Sequence, residues 1–294
     1  MFSYLLKRFG LVILIVAIFS ITAIGGVTKN DLVIPKSGKI QIITLDDGSS
    51  LVGRITDIGD DEIKFQSDLG EITIAISKIV QIKEVDDTSF REGKYWFPNP
   101  NRTRLYIAPT GRMLNKGEGY FYDTWIFFPG AAYAITDNVT IGAGITIFPG
   151  VDFNKQLLIL TPKVGLNSDG PVDLAISGMF IKIPVDDPVT VGLINVVGTV
   201  GSDDNSLTVG LGYGYAEGKL GDKPAVILGG ELRFARRMSF VSENWIIPGV
   251  NDALISYGIR FLGEKVSADF AFFNILDEDA VFPGTPYLGL VWNF

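Results

Sequence analysis

The chain has 294 residues, with 25 Lys and Arg against 33 Asp and Glu, and it contains neither Cys nor His. These absences exclude disulfides, Cys/His zinc sites and thiol- or imidazole-based catalytic pairs. The net charge of −8 disfavours a nucleic-acid partner, because phosphate backbones are bound by clustered Lys and Arg. The mean hydropathy is +0.30 although 20% of the residues are charged, and a soluble enzyme is rarely so apolar. We therefore predict a non-enzymatic protein with no cofactor and no metal.

Residues 1–26 have the pattern of a secretory signal peptide. Lys7 and Arg8 precede an uncharged run over residues 9–24, and small residues lie at its end. Ala23 and Gly25 suit the −3 and −1 positions of a cleavage site. The alternative is an uncleaved helical anchor, because the uncharged stretch extends to Val27 and approaches the lower length limit for a membrane span. The first interpretation predicts export.

Residues 38–85, which follow a short polar linker at 27–37, have the pattern of a small β domain. Strands are predicted at 39–45, 51–58, 62–66, 71–76 and 79–83, with turn residues such as Asp46-Asp47-Gly48 between them. Five short strands in so few residues predict a small closed barrel. The run Leu45-Asp46-Asp47-Gly48, followed by Gly53-Arg54-Ile55, resembles an Sm-like or SH3-like barrel. Acidic residues outnumber basic ones here, so we favour a structural or protein-contact module in the periplasm over an RNA-binding one.

After a second linker at 86–102, residues 103–294 alternate apolar with small or polar residues. Segments of about ten such residues, separated by turns, are the pattern of an antiparallel transmembrane β-barrel. The pattern predicts about twelve strands, within a range of 10–14. They are expected near 118–127, 130–136, 138–148, 156–167, 171–183, 189–201, 206–217, 223–235, 237–247, 252–263, 264–275 and 285–294. Residues 103–109 are left over as a cap, a plug or a further strand.

Two further features bear on the barrel prediction. Connections at 148–156, 217–224, 247–252 and 276–286 are predicted to be long, all on one side. The rival architecture is a soluble β-sandwich, whose strands also alternate. A sandwich needs a densely charged outer face, whereas the second face here is mostly Gly, Ala, Ser and Thr.

Two sets of residues are candidates for function. The charged residues predicted to face the lumen form either a selective constriction or ion pairs that fill a narrow barrel; they are Lys163, Glu231, Arg233, Arg260 and Asp269. The last strand presents alternating apolar residues and ends on an aromatic, which resembles the signal recognised by the barrel-insertion machinery; these residues are Leu288, Leu290, Trp292 and Phe294. The acidic cluster at 277–279 lacks the spaced ligands of a calcium loop and is interpreted as a solvated tip.

Three segments, at 104–111, 116–122 and 135–142, carry a family resemblance. They read Arg-Leu-Tyr-Ile-Ala-Pro-Thr-Gly, Lys-Gly-Glu-Gly-Tyr-Phe-Tyr and Ile-Thr-Asp-Asn-Val-Thr-Ile-Gly. They resemble an uncharacterised family of exported barrel proteins of Bacteroidetes-type bacteria with a small N-terminal β domain. The resemblance implies an outer-membrane location, with membrane lipid and the insertion machinery as partners. The expected function is a narrow pore for small solutes; the alternative is a plugged barrel that presents residues 38–85 to a periplasmic protein.

Overall fold

The computed structural model describes residues 27–91, 94–167, 170–185, 187–248, 253–275 and 281–294. The predicted signal segment 1–26 and the acidic cluster 277–279 lie outside the described residues. None of the helices in the described ranges has the length and apolar character needed to cross a membrane. The chain divides into two compact units, with the boundary between Trp96 and Phe97.

The first unit is a five-stranded antiparallel sheet. Its strands are β1 (Lys39–Leu45), β2 (Ser50–Ile58), β3 (Glu62–Ser67), β4 (Gly70–Ala75) and β5 (Ile79–Asp86), in the order β4-β3-β2-β1-β5. A short 3-10 helix, Ile76–Lys78, connects β4 to β5, and the pair β6 (Phe90–Arg91) and β7 (Lys94–Tyr95) follows. Each of the strands β1–β5 contributes to one buried core, which includes Ile43, Ile55, Ile63, Phe65, Ile74 and Ile79. The predicted strands are thus present and share one core, but the predicted closure is not observed, because β4 and β5 are the two edges of the sheet and are joined by the 3-10 helix rather than paired.

The second unit contains a closed antiparallel barrel of twelve strands. They are β8 (Gly119–Thr124), β9 (Phe128–Thr136), β10 (Val139–Ile145), β11 (Leu158–Asn167), β12 (Val172–Ile183), β13 (Val189–Gly201), β14 (Asn205–Ala216), β15 (Lys219–Ala235), β16 (Met238–Ile246), β17 (Leu254–Leu262), β18 (Val266–Ile275) and β19 (Thr285–Asn293). Each pairs with the next, and β19 pairs with β8. Next to this seam Phe294 N donates to Gly119 O at 3.0 Å and Gly119 N to Phe294 O at 3.2 Å. Closure leaves the sheet without an edge, as a bilayer requires.

The two faces of the barrel wall differ as the alternation predicts. Outward side chains are apolar and exposed, for example Leu232 at 56% and Leu211 at 54%. The intervening inward positions are buried and small or polar, as at Thr208 and Ser256. So large an exposed apolar surface is stable against lipid rather than water. The chain therefore folds as a transmembrane β-barrel, and the β-sandwich alternative is wrong because one sheet closes on itself.

Two turns differ from their predicted places. The predicted strands 118–127 and 130–136 place the first turn near Pro129, but the β8–β9 hairpin turns at Trp125 and Ile126, with φ of 53° and 69°, and Pro129 lies inside β9. Two positive φ values match a type I′ hairpin turn, and the Trp125 indole supports it by donating to Pro286 O at 2.8 Å. The predicted long connection at 217–224 is a tight turn, because β15 already begins at Lys219. A register shift in β14 near this point accommodates a proline within β15.

Candidate functional site

The lumen of the barrel is filled in part by residues 97–114, here called the plug segment. It precedes β8, and most of its side chains are buried, among them Leu105, Tyr106 and Ala108. A bridge between Arg104 and Pro109 closes it into a tight loop, in which Leu105 N donates to Ala108 O at 2.9 Å. Residues 103–109 are therefore a plug and not a strand of the barrel.

Glu243 on β16 holds the tip of the plug segment. Its Oε2 accepts the backbone N–H groups of Tyr106, Ile107 and Ala108 at 2.8, 2.9 and 2.9 Å. Its Oε1 accepts the indole N–H of Trp245 at 2.8 Å. The side chain is fully buried. Charge-assisted hydrogen bonds to a buried carboxylate are among the stronger ones in proteins, so this residue fixes the loop against one wall.

Arg260 on β17 is the centre of a buried charge cluster. It donates to Asp269 Oδ1 at 2.7 Å and to Glu231 Oε2 at 2.8 Å, on the two sides of β17 in the barrel wall. Its Nη2 donates to Leu105 O at 2.7 Å. Arg260 is fully buried, and a buried charge is stable only when it is paired and hydrogen-bonded. The cluster therefore links three strands to the plug segment.

Other cations hold the two ends of the plug segment. Arg233 on β15 donates to Asp204 Oδ1 and to Phe97 O, both at 2.8 Å. Arg112, within the plug segment, donates to Asp173 Oδ2 at 3.2 Å and to Ser202 O at 2.7 Å. Both arginines are buried. The segment is thus attached to the wall at its start, its tip and its end.

Glycines at the inner wall make room for the plug segment. A Cβ at Gly229 would lie 2.4 Å from Leu105 Cδ1, and one at Gly165 would lie 2.7 Å from Met113 Cγ. Gly111 approaches the wall itself, since a Cβ there would lie 1.9 Å from Asp173 O. Some lumen glycines therefore leave the space that a particular side chain of the plug segment occupies.

The structure divides the predicted site residues into groups. Glu231, Arg260 and Asp269 form one cluster, while Arg233 lies with Asp204 and Lys163 faces a different part of the plug segment. The aromatic-terminated set lies on the outer wall, with Leu288, Leu290 and Phe294 exposed and Trp292 half-buried. Sequence reasoning missed Glu243, Arg104 and Arg112. Glu243 could have been found from the alternation of β16, because its register partner on β15 is Gly229, which faces the lumen.

The arrangement suits attachment rather than catalysis. Each of the carboxylates of Glu243, Asp269 and Asp204 accepts hydrogen bonds from buried donors. Among the residues that the structure describes, no group of three or more Asp and Glu side chains is placed to hold a metal ion. What the geometry does is to fix residues 97–114 within the barrel.

Comparisons with known proteins give only distant structural likenesses. No protein-family model matches the chain, and no curated protein matches it in sequence. It is similar to the KdgM porin in complex with disordered oligogalacturonate, at 6% identity and a TM-score of 0.45 over 60% of this chain and 98% of that one. OmpT of Vibrio cholerae gives 12% identity and a TM-score of 0.32, over 89% and 100% of the two chains. An active-site mutant of outer membrane phospholipase A from Escherichia coli gives 10% and 0.35, over 66% and 95%. Likenesses this distant carry no argument about activity.

Proposed function

We propose that the chain is a non-enzymatic outer-membrane β-barrel protein whose lumen is closed by its own plug segment. In this proposal the barrel also anchors the small β module of residues 38–85. The observation that carries it is the buried set of bonds from Glu243, Arg260 and Arg233 to the plug backbone. Charged side chains that line an open pore would face water, whereas these three form hydrogen bonds with the backbone of the plug segment.

An outer-membrane location is supported by the barrel itself. An edgeless sheet with an apolar outer surface is the way in which β-structure crosses a bilayer. Lipid is then the partner of the outward side chains. The barrel-insertion machinery, acting on Leu288, Leu290, Trp292 and Phe294, stays a prediction, as does membership of the Bacteroidetes-type family and the Sm-like or SH3-like nature of the module.

Closure of the lumen can be tested by single-channel conductance in planar bilayers. The full chain is compared with a variant whose residues 99–111 are replaced by a Gly-Ser linker of equal length, so that the chain connection is kept. Both must show heat-modifiable gel migration, which establishes a folded barrel. We expect no conductance from the full chain and discrete channel openings from the linker variant. Steady openings of equal size in both would favour a narrow pore and contradict the proposed closure.

The β module is proposed to contact a periplasmic protein. It has its own core, and it exposes an apolar side chain at Leu69, 98% exposed. A photo-crosslinking amino acid at position 69 in cells should give one defined adduct, and the same group at exposed Glu71 is the matched control. Adducts that are absent or equally diffuse at both positions would leave the module as a structural domain.

A further inference from the structure

The plug segment leaves a cavity on one side of the lumen. Its bonds to Glu243 and Arg260 hold it against β16 and β17. Towards β8–β13 there remains a cavity of about 290 Å³. That volume equals the liquid volume of roughly ten water molecules. The lining is mainly apolar and includes Ile107, Leu114, Phe128, Ile159, Met179 and Leu193.

Of the described residues that line this cavity, only Arg104 and Lys163 are charged, and both are cations. Their exposed fractions are 9% and 8%. The buried cations Arg112, Arg233 and Arg260 each have a carboxylate partner. Arg104 and Lys163 form no ion pair with any carboxylate of the described ranges. Two buried basic side chains therefore face the cavity with no carboxylate in direct contact, and Arg104 also lies 4.9 Å from the centre of the Tyr122 ring.

One nitrogen of Arg104 and one hydroxyl beside Lys163 lack hydrogen-bond partners in this structure. The Nζ of Lys163 donates to the carbonyls of Thr103 and Arg112, and the Nη2 of Arg104 donates to Tyr106 O. The Nε of Arg104 has no acceptor, and the Oγ1 of Thr140 has no partner in this structure. Thr140 is the register partner of Lys163 across β10 and β11 and lines the same cavity. Buried donors without acceptors are costly, and such groups call for an explanation.

We propose that the cavity binds an anionic amphiphile, a molecule with one carboxylate and an apolar tail such as a medium-chain fatty acid. The carboxylate accepts hydrogen bonds from Arg104 and Lys163, neither of which contacts a carboxylate in the structure, and the Thr140 hydroxyl donates to it. The tail lies against Ile159 and Met179. An acidic sugar would satisfy the cations but would leave its hydroxyls against apolar side chains, which is unfavourable.

The test uses the full chain in lipid nanodiscs and a diazirine-labelled decanoate, with labelled residues mapped by mass spectrometry. We expect labelling of cavity-lining residues in addition to the outer surface. Unlabelled decanoate should compete for the cavity sites at a concentration about tenfold lower than decanol, because decanol lacks the charge. Equal competition by decanol would overturn the role of the cations, and effective competition by gluconate would overturn the role of the apolar lining.

Variants test the cations and the apolar lining of the cavity separately. Lys163→Met should reduce cavity labelling by about tenfold, whereas Lys163→Arg retains the charge and should retain labelling. Met179→Trp fills the cavity, leaves both cations in place and should also abolish labelling. Labelling confined to outer-surface residues, or unchanged in Lys163→Met and in Met179→Trp, overturns the proposal. Conductance is measured on the same samples, so that an opened lumen is distinguished from a closed lumen that binds no ligand.

Discussion

Glu243→Gln should release the tip of the plug segment while the barrel stays closed. The carboxylate accepts three backbone N–H groups through Oε2 and the Trp245 indole through Oε1. In the amide, one end is a donor, so either the indole or the backbone N–H groups must face a donor. The other contacts become neutral hydrogen bonds, which are weaker. The β-ladder on both sides of Glu243 is unaffected, so the loss falls on the plug contact.

The magnitude follows from the same contacts. Three charge-assisted bonds that become neutral cost about 1 kcal/mol each, and a buried indole donor without an acceptor costs about 1–3 kcal/mol. Allowing for non-additivity, we expect the plug to open more easily by about 3–5 kcal/mol. One decade corresponds to about 1.4 kcal/mol, so the open fraction should rise at least about hundredfold.

Maleimide labelling measures this opening, because the chain has no Cys and one introduced thiol is unique. Ala108→Cys places the thiol at a fully buried position of the plug tip. When opening is faster than labelling, the labelling rate follows the open fraction. Glu217→Gln, at an exposed turn position, is the matched control. Labelling in Glu243→Gln within about threefold of that control would refute the argument that this carboxylate holds the plug.

Three other substitutions test the fit of the plug segment against the wall, the buried charge cluster and the contact of the outer face with lipid. Gly165→Ala places a Cβ 2.7 Å from Met113 Cγ of the plug segment and should destabilise the plug contact by about 1–3 kcal/mol; Gly214→Ala, which has open space, should not, and equal labelling rates in the two variants would contradict a tight contact between Gly165 and the plug. Arg260→Met leaves two buried carboxylates without their cation and should cost about 3–5 kcal/mol; it should lower the temperature at which the folded gel band disappears, and an unchanged temperature would contradict this. Leu211→Arg, on the outer face, should cost about 2–4 kcal/mol if this position lies near the bilayer midplane; Leu211→Met is its control, and equal yields of folded barrel would count against a lipid-facing position.

The wall of the barrel could be predicted because its determinants are local. A period of two residues fixes which side chain faces lipid, and turn residues fix where a strand ends. The places where this failed have long-range causes. The Trp125-Ile126 turn carries two positive φ values with no glycine, and it is supported by Pro286, 161 positions along the chain. No rule that uses neighbouring residues could have placed that turn.

The contents of the lumen are a harder problem, yet one inference was within reach. The plug segment has no regular period, because its bonds run to side chains such as Glu243, 137 positions away from Tyr106. An inward Glu on β16, however, lies in register with Gly229, which offers no cation across the wall. A carboxylate buried there must find donors, and strand N–H groups are already used in the barrel ladder. Trp245 on the same strand supplies a donor to one oxygen only. The donors to the other oxygen are three backbone N–H groups of the plug segment, so this one carboxylate points to an internal segment outside the strands.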